Sequence, residues 1–185
     1  MIPWLPILRD SLDLEFGADK PRIATLATVD EHHRPSARSI ILRQIDDDGA
    51  LHFVTDARSP KTAHLRLWPF AELVLWLPIR REQFRLAGPT TITTSADNPT
   101  LARQFWTQLT DVSRAMFLWP APGHPRPDCD DPFVPAAPAT TPIPDSFVLV
   151  TLRPDRADHL QLSFHPHRRT RWEQSSAWEP RSINP

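Results

Sequence analysis

Three places in this 185-residue chain set cations where an anion could meet them. Arg58, Ser59 and Lys61 cluster at the start of an expected helix, with Pro60 suited to its first position. A helix N-terminus offers free backbone N–H groups and partial positive charge, so the cluster can hold a phosphate without a glycine loop. A plain N-cap with solvated charges fits the same spacing. Arg38 and Arg43 lie five apart on an expected strand, which predicts opposite faces. His167, Arg168, Arg169 and Arg171 form a second basic cluster far along the chain. It reads either as a solvated strand or as a second anion contact from a partner chain. Gln83 and Arg85 alternate with Phe84 and Leu86. A glutamine can donate to and accept from a flat heteroaromatic ring, and a solvent-facing strand position fits equally.

Other chemistry is missing. There is no GxGxxG, no GxxxxGK[ST], no HExxH and no CxxC, which removes the usual nucleotide loops and zinc sites. His165 and His167 share a strand face, readable as a metal pair or as a solvated or substrate-facing pair. Cys129 is the single cysteine, so an intrachain disulfide and multi-cysteine metal sites are excluded, and without a flanking base it is given no catalytic role. The serines lack a nucleophile-elbow context. A net charge of −1 argues against nucleic acid as a partner. No apolar run approaches a membrane span and no secretory leader is evident, so the expected setting is the cytoplasm, without a membrane.

The elements that must position these groups are mostly strands. Residues 1–16 read as an amphipathic helix ending at Gly17. Strands are expected at 22–29, 36–45, 51–55, 72–77 and 82–94, the last bent at Gly88-Pro89, with a DDDG turn at 46–49. Helices are expected at 59–68, from 97 to about 109 and at 111–117, with Asp97 and Asp111 as N-caps. Strands return at 146–152, 159–164 and 170–173. Residues 119–144 hold nine prolines in 26 positions, which bars a regular helix or central strand. That predicts an extended excursion at about 119–145, a lid or strap anchored by Trp119, Phe133 and Val134, or a loose loop. The whole, residues 1–185, is expected to be one mainly β domain, a barrel with peripheral helices, because closure removes exposed edges.

Several short motifs, in order, resemble one family. ATLATVD at 24–30, RPSARSIILR at 34–43 and FVTDARSPK at 53–61 are similar to the FMN-binding half of the pyridoxamine 5′-phosphate oxidase-like flavoproteins. REQFRLAG at 81–88, WPAPG at 119–123, DHLQL at 158–162 and INP at 183–185 extend the resemblance to a divergent branch, the oxidase-related FMN-binding proteins. The resemblance implies an FMN-binding split barrel, a homodimer with FMN at the interface. It implies Arg38 and Lys61 on the FMN phosphate, assisted by Ser59 and Arg58, and Thr55 beside the ribityl–phosphate region. The strand through Ile40 and Ile41 to Arg43 would run along the flavin, its amides meeting ring acceptors. Gln83 and Arg169 would approach the ring edge.

Function follows as expectation: an oxidoreductase whose flavin accepts hydride from a small-molecule substrate. Arg169 or Arg43 would place positive charge at the reduced ring, and His167 would contact substrate or relay a proton. A flavin or NAD(P)H-dependent reductase and a non-catalytic flavin carrier are the alternatives. The substrate side departs from the authentic oxidase: Arg43 replaces a lysine, and its phosphate-gripping tyrosine, arginine and serine have no counterpart in 106–119.

Overall fold

The computed structural model describes residues 2–17 and 20–185. The helix α1 (Trp4–Phe16) begins after Pro3 and buries Trp4, Leu5, Leu8 and Leu12, the stripe that a 3.6-residue period creates. Met1, which the sequence places in this helix, lies outside the described residues. Gly17 ends it at φ 62°, donating its N–H to Asp13.

Strands β1 (Arg22–Val29), β2 (Pro35–Leu42), β3 (Gln44–Ile45) and β4 (Leu51–Asp56) follow, then α2 (Pro60–Leu67). The expected strand 36–45 is broken at Arg43, whose N–H turns to the His52 carbonyl. Next come β5 (Phe70–Leu77), β6 (Glu82–Thr94), α3 (Pro99–Thr107) and α4 (Asp111–Ala115), the last running into a 3₁₀ turn (Met116–Leu118). The caps differ from expectation. Pro99 occupies the first position of α3, so Asn98 caps it, accepting from Leu101; Thr110 caps α4, accepting from Ser113. Strands β7 (Phe147–Leu152), β8 (Arg156–Gln161), β9 (Arg168–Glu173) and β10 (Arg181–Ile183) complete the chain. Both β8 and β9 start earlier than expected, at 156 instead of 159 and at 168 instead of 170, with β8 ending at 161 instead of 164, and β10 has no clear sequence signal.

All pairs are antiparallel, in the order β10-β9-β8-β6-β5-β1-β2, with β3, β4 and β7 joined through β6. The strand β6 stays continuous where a bend was expected and changes partners there. Glu82–Ala87 pairs β8, and Thr90–Thr94 pairs β7. Gly88 marks the changeover, because a Cβ there would lie 2.2 Å from the Arg153 carbonyl oxygen. Among the described residues β2 pairs only β1 and β10 only β9, so the sheet curls as a split barrel rather than a closed one. The main core lies inside the curl under α1, built from Trp4, Leu8, Leu26, Leu73, Phe84 and Leu152. A second cluster of Phe105, Trp106, Leu109 and Phe147 fixes α3 on β7. Among the described residues no helix is long and apolar enough to cross a membrane.

The proline-rich stretch carries no regular element yet is tied down. The Trp119 indole N–H donates to the Val134 carbonyl at 2.8 Å, and the Trp119 ring meets Phe133 edge-on. Arg114 donates to the Ala137 carbonyl at 2.8 Å, and the Ala137 N–H returns to Asp111.

Candidate functional site

A cavity of about 680 Å³ opens between β2, β4, the start of α2 and the proline-rich segment. Ser39, Ile40, Ile41, Arg43, Thr55 and Lys61 line one side. Lys61 sits on the first turn of α2 and donates to Thr55 Oγ1 at 3.1 Å. Burial lowers its affinity for a proton, and the nearby Arg38 lowers it further, against a smaller pull from Asp56. Arg38 donates to Thr28 Oγ1 at 2.7 Å and to the Leu26 carbonyl, and burial lowers its pKa too. Arg43 is half-buried, and its Nε is buried with no hydrogen-bond partner. Lys61 and Arg43 thus border the cavity, with Arg38 near Lys61; among the described residues none of the three forms an ion pair, and the one carboxylate on the lining, Asp56, is forked to Arg58. Such groups are short of counter-charge, and an anion restores what desolvation removes.

Arg58 is differently employed. Its Nε and one amino group fork onto Asp56 at 3.0 and 2.7 Å, and that amino group reaches the Trp119 carbonyl at 2.9 Å. It fastens the proline-rich segment to the loop before α2. Ser59 stands at the N-cap position, yet its hydroxyl meets Thr62 Oγ1 at 3.0 Å instead of capping, and it is buried. The α2 N-terminus therefore reaches the cavity through Lys61.

The other expected residues lie elsewhere on the same chain. Gln83 is on the outer sheet face between Trp76 and Leu160. Arg169 neighbours Leu160 one strand further and donates to Asp158 at 2.9 Å, a carboxylate shared with Arg171. His167 stands in a second concavity with His165, Arg168 and Asn184; its Nδ1 lies 2.9 Å from the Phe164 carbonyl. That oxygen can only accept, so Nδ1 carries the proton and Nε2 is free to accept. One row across the face runs Ser39, Thr25, Val74, Arg85, Asp158, Arg171. From the cavity edge at Ser39 to β9 is therefore five strand spacings, about 24 Å along the sheet. One chain brings Arg38, Arg43, Thr55 and Lys61 together and holds Gln83, His167 and Arg169 apart from them. Ile23 and Ile41 belong to both settings: they line the cavity and, 52% and 39% exposed, stand on the open outer face with Trp76.

The far side of the cavity was missed by residue spacing. Leu109, before α4, Ser113 on α4, and Met116 and Phe117 on the 3₁₀ turn line it together with Trp119 and Phe133. The sequence singled out the two aromatics only as anchors of an excursion. The helical spacing of 109, 113 and 117 is the signal that could have placed the rest.

The donor set suits a phosphorylated, flat cofactor: two cations and a hydroxyl for the phosphate, then an edge strand with unpaired backbone groups for a ring. The first 94 residues match the family model described as pyridoxamine 5′-phosphate oxidase, FMN-binding domain. A crystal structure of a pyridoxamine 5′-phosphate oxidase-related, FMN-binding protein from Nostoc punctiforme is 32% identical, with TM-score 0.91, covering 100% of this chain and 99% of that one. Pyridoxine/pyridoxamine 5′-phosphate oxidase 2 of Arabidopsis thaliana is 27% identical over 167 residues, 86% of this chain and 83% of that protein. PhzG from Burkholderia lata, 22% identical with TM-score 0.84, covering 100% of this chain and 92% of that one, shares the fold.

Proposed function

The chain belongs to the pyridoxamine 5′-phosphate oxidase-like family of FMN-binding flavoproteins, and on that premise we propose that it is an FMN-dependent oxidoreductase acting on a small molecule as a cytoplasmic homodimer. The observation that supports this reading is that Lys61 and Arg43 border one cavity, with Arg38 close enough to act on Lys61, and that among the described residues none of the three is ion-paired, the nearby Asp56 being forked to Arg58.

FMN, when bound, supplies hydride acceptance. The chain supplies grip and field. Lys61, Arg38 and Thr55 hold the phosphate, with Ser59 keeping the α2 turn in place through Thr62. The edge of β2 away from β1 pairs no other strand among the described residues, so its outward amides near Ser39 to Ile41 are open. Gln83 lies three strand spacings away, about 14 Å along the sheet, and Arg169 five, about 24 Å, with the free Nε2 of His167 just before the same strand. A second copy, packed against the exposed Ile23, Ile41 and Trp76, is the economical way to bring them to the ring. There Arg169 places positive charge against the reduced ring, Gln83 orients its edge, and His167 Nε2 takes or returns a substrate proton.

The test begins with the purified protein and added FMN. Retention of yellow colour through gel filtration, at the mass of two chains, is expected. Oxygen uptake driven by a reduced substrate supports an oxidase, and bleaching by NAD(P)H supports a reductase. A loaded protein inert to both would be a carrier, and the enzymatic part of the proposal would fail. Protein that stays colourless would overturn the reading altogether.

A further inference from the structure

One half of the cavity takes no part in gripping the nucleotide tail. Leu109, Ser113, Met116 and Phe117 line it, together with Trp119 and Phe133. The only cation within 109–117 is Arg114, and it is turned into the protein. It is 3% exposed, donates to the carbonyls of Trp106, Leu109 and Ala137, and pairs with Asp111. The wall therefore carries no positive charge. His124 and Arg126 also border the cavity, but both are exposed. Arg126 is paired with Asp130 and lies 4.6 Å over the Phe133 ring, so its charge is already answered. A phosphate monoester against these side chains would lose its water and gain one hydroxyl, from Ser113.

On the near side the one cation left over is Arg43, once Lys61 and Arg38 hold the FMN phosphate. Its Nε is buried, unpartnered, and set beside Ile40 and Ile41. A guanidinium that borders the cavity and forms no ion pair among the described residues suits a carboxylate, which accepts two parallel N–H bonds. We propose that this half of the cavity takes a flat, apolar substrate that carries one carboxylate and no phosphate. Arg43 holds the carboxylate, and the Leu109–Phe117 wall and the Trp119–Phe133 pair sandwich the rings. Specificity then sits in Arg43, Ser113 and Phe117. The inference rests on the FMN reading, since that reading removes Lys61 and Arg38 from the substrate's reach.

Isothermal titration of the FMN-loaded full chain decides it, with four probes: 2-naphthoate, 2-naphthalenemethanol, 2-naphthyl phosphate and pyridoxine 5′-phosphate. The expected result is 2-naphthoate binding at least tenfold more tightly than the other three. Arg43→Met should bring 2-naphthoate to the level of the alcohol, and Arg43→Lys should keep part of the preference. Ser113→Arg, which plants a cation on the apolar wall, should tighten both phosphate esters by tenfold or more. Phosphate esters that bind the loaded wild type as well as 2-naphthoate, or 2-naphthoate that does not bind, overturn the inference and leave the FMN reading intact. An Arg43→Met protein that loads FMN and keeps the full carboxylate preference overturns it too. A chain that takes up no FMN overturns the FMN reading, and this inference with it. The wild-type panel decides alone should a variant fail to fold.

Discussion

At Lys61 and His159 burial acts on two bases with different consequences. Lys61 is half-buried with no ion pair among the described residues and only a lesser pull from Asp56, so its ammonium is held at a cost that a bound phosphate relieves. Lys61→Ala should weaken FMN binding by roughly 1.5–3 kcal/mol, the worth of a charge-assisted hydrogen bond. Because the charge is uncompensated in the empty protein, the apo melting temperature should hardly move; fluorescence titration and a thermal melt separate the two effects. His159 is buried, stacked on Phe84 at 4.1 Å, and its Nε2 lies 3.3 Å from Glu82 but out of line for a hydrogen bond. Burial pushes its pKa down, with Glu82 pulling the other way. As pH falls below about 6.5 the unfolded chain binds the proton first, so stability declines from there to the folded value. Burial works to raise the Glu82 pKa, but hydrogen bonds from Arg80 and Ser11 hold it below the ordinary value. Its stabilisation is lost only as pH falls through that lower value, which extends the decline. Urea melts between pH 7.5 and 5 should show this slope, and His159→Gln should flatten its upper part. Lys61 was legible in the sequence because a serine-proline helix start announces itself. Arg43's solitude was not, since it depends on which neighbours three separate segments bring or fail to bring.

Elements set where these groups can point. The change of partner along β6 lets one strand serve both the large sheet and the β4–β7 ladder, and it needs Gly88 for the close passage of the Arg153 carbonyl. Gly88→Ala should destabilise the fold by ~3 kcal/mol or more, read by chemical denaturation, because the clash is with backbone that cannot step aside. Arg114 is the corresponding fixture for the proline-rich segment. Arg114→Met leaves the carbonyls of 109 and 137 unanswered, while that of 106 keeps the Leu109 N–H, an expected loss of ~2–4 kcal/mol. It should also speed proteolysis within 119–144 while β7 stays intact. Most strands were legible from alternation and turn residues, and α1 from its stripe of leucines. The caps were not, because Asp97 and Asp111 compete with Asn98 and Thr110 and only Pro99 breaks the tie for α3. The proline count showed that 119–144 would be irregular; it could not show that a buried arginine from α4 would stitch it down.

For the whole molecule, the division of the expected site residues is the governing fact. Alternation placed Gln83 on a strand and Arg169 just before one, but the distance between β2 and β9 depends on a strand order that no local pattern encodes. Trp76→Glu, which plants a charge in the middle of the exposed face, should yield monomers on a sizing column and release FMN together with the partner. The same substitution should leave the far-ultraviolet spectrum unchanged, since Trp76 is 46% exposed in the single chain. Ile23 and Ile41 each touch the cavity with one side of the backbone neighbourhood and the open sheet face with the other. A ligand lodged beside them would be shut in by whatever covers that face, so its escape becomes a question of how many molecules share the solution. Progressive dilution of loaded material should free the fluorophore well before any strand melts, and concentrating the sample should quench its glow again.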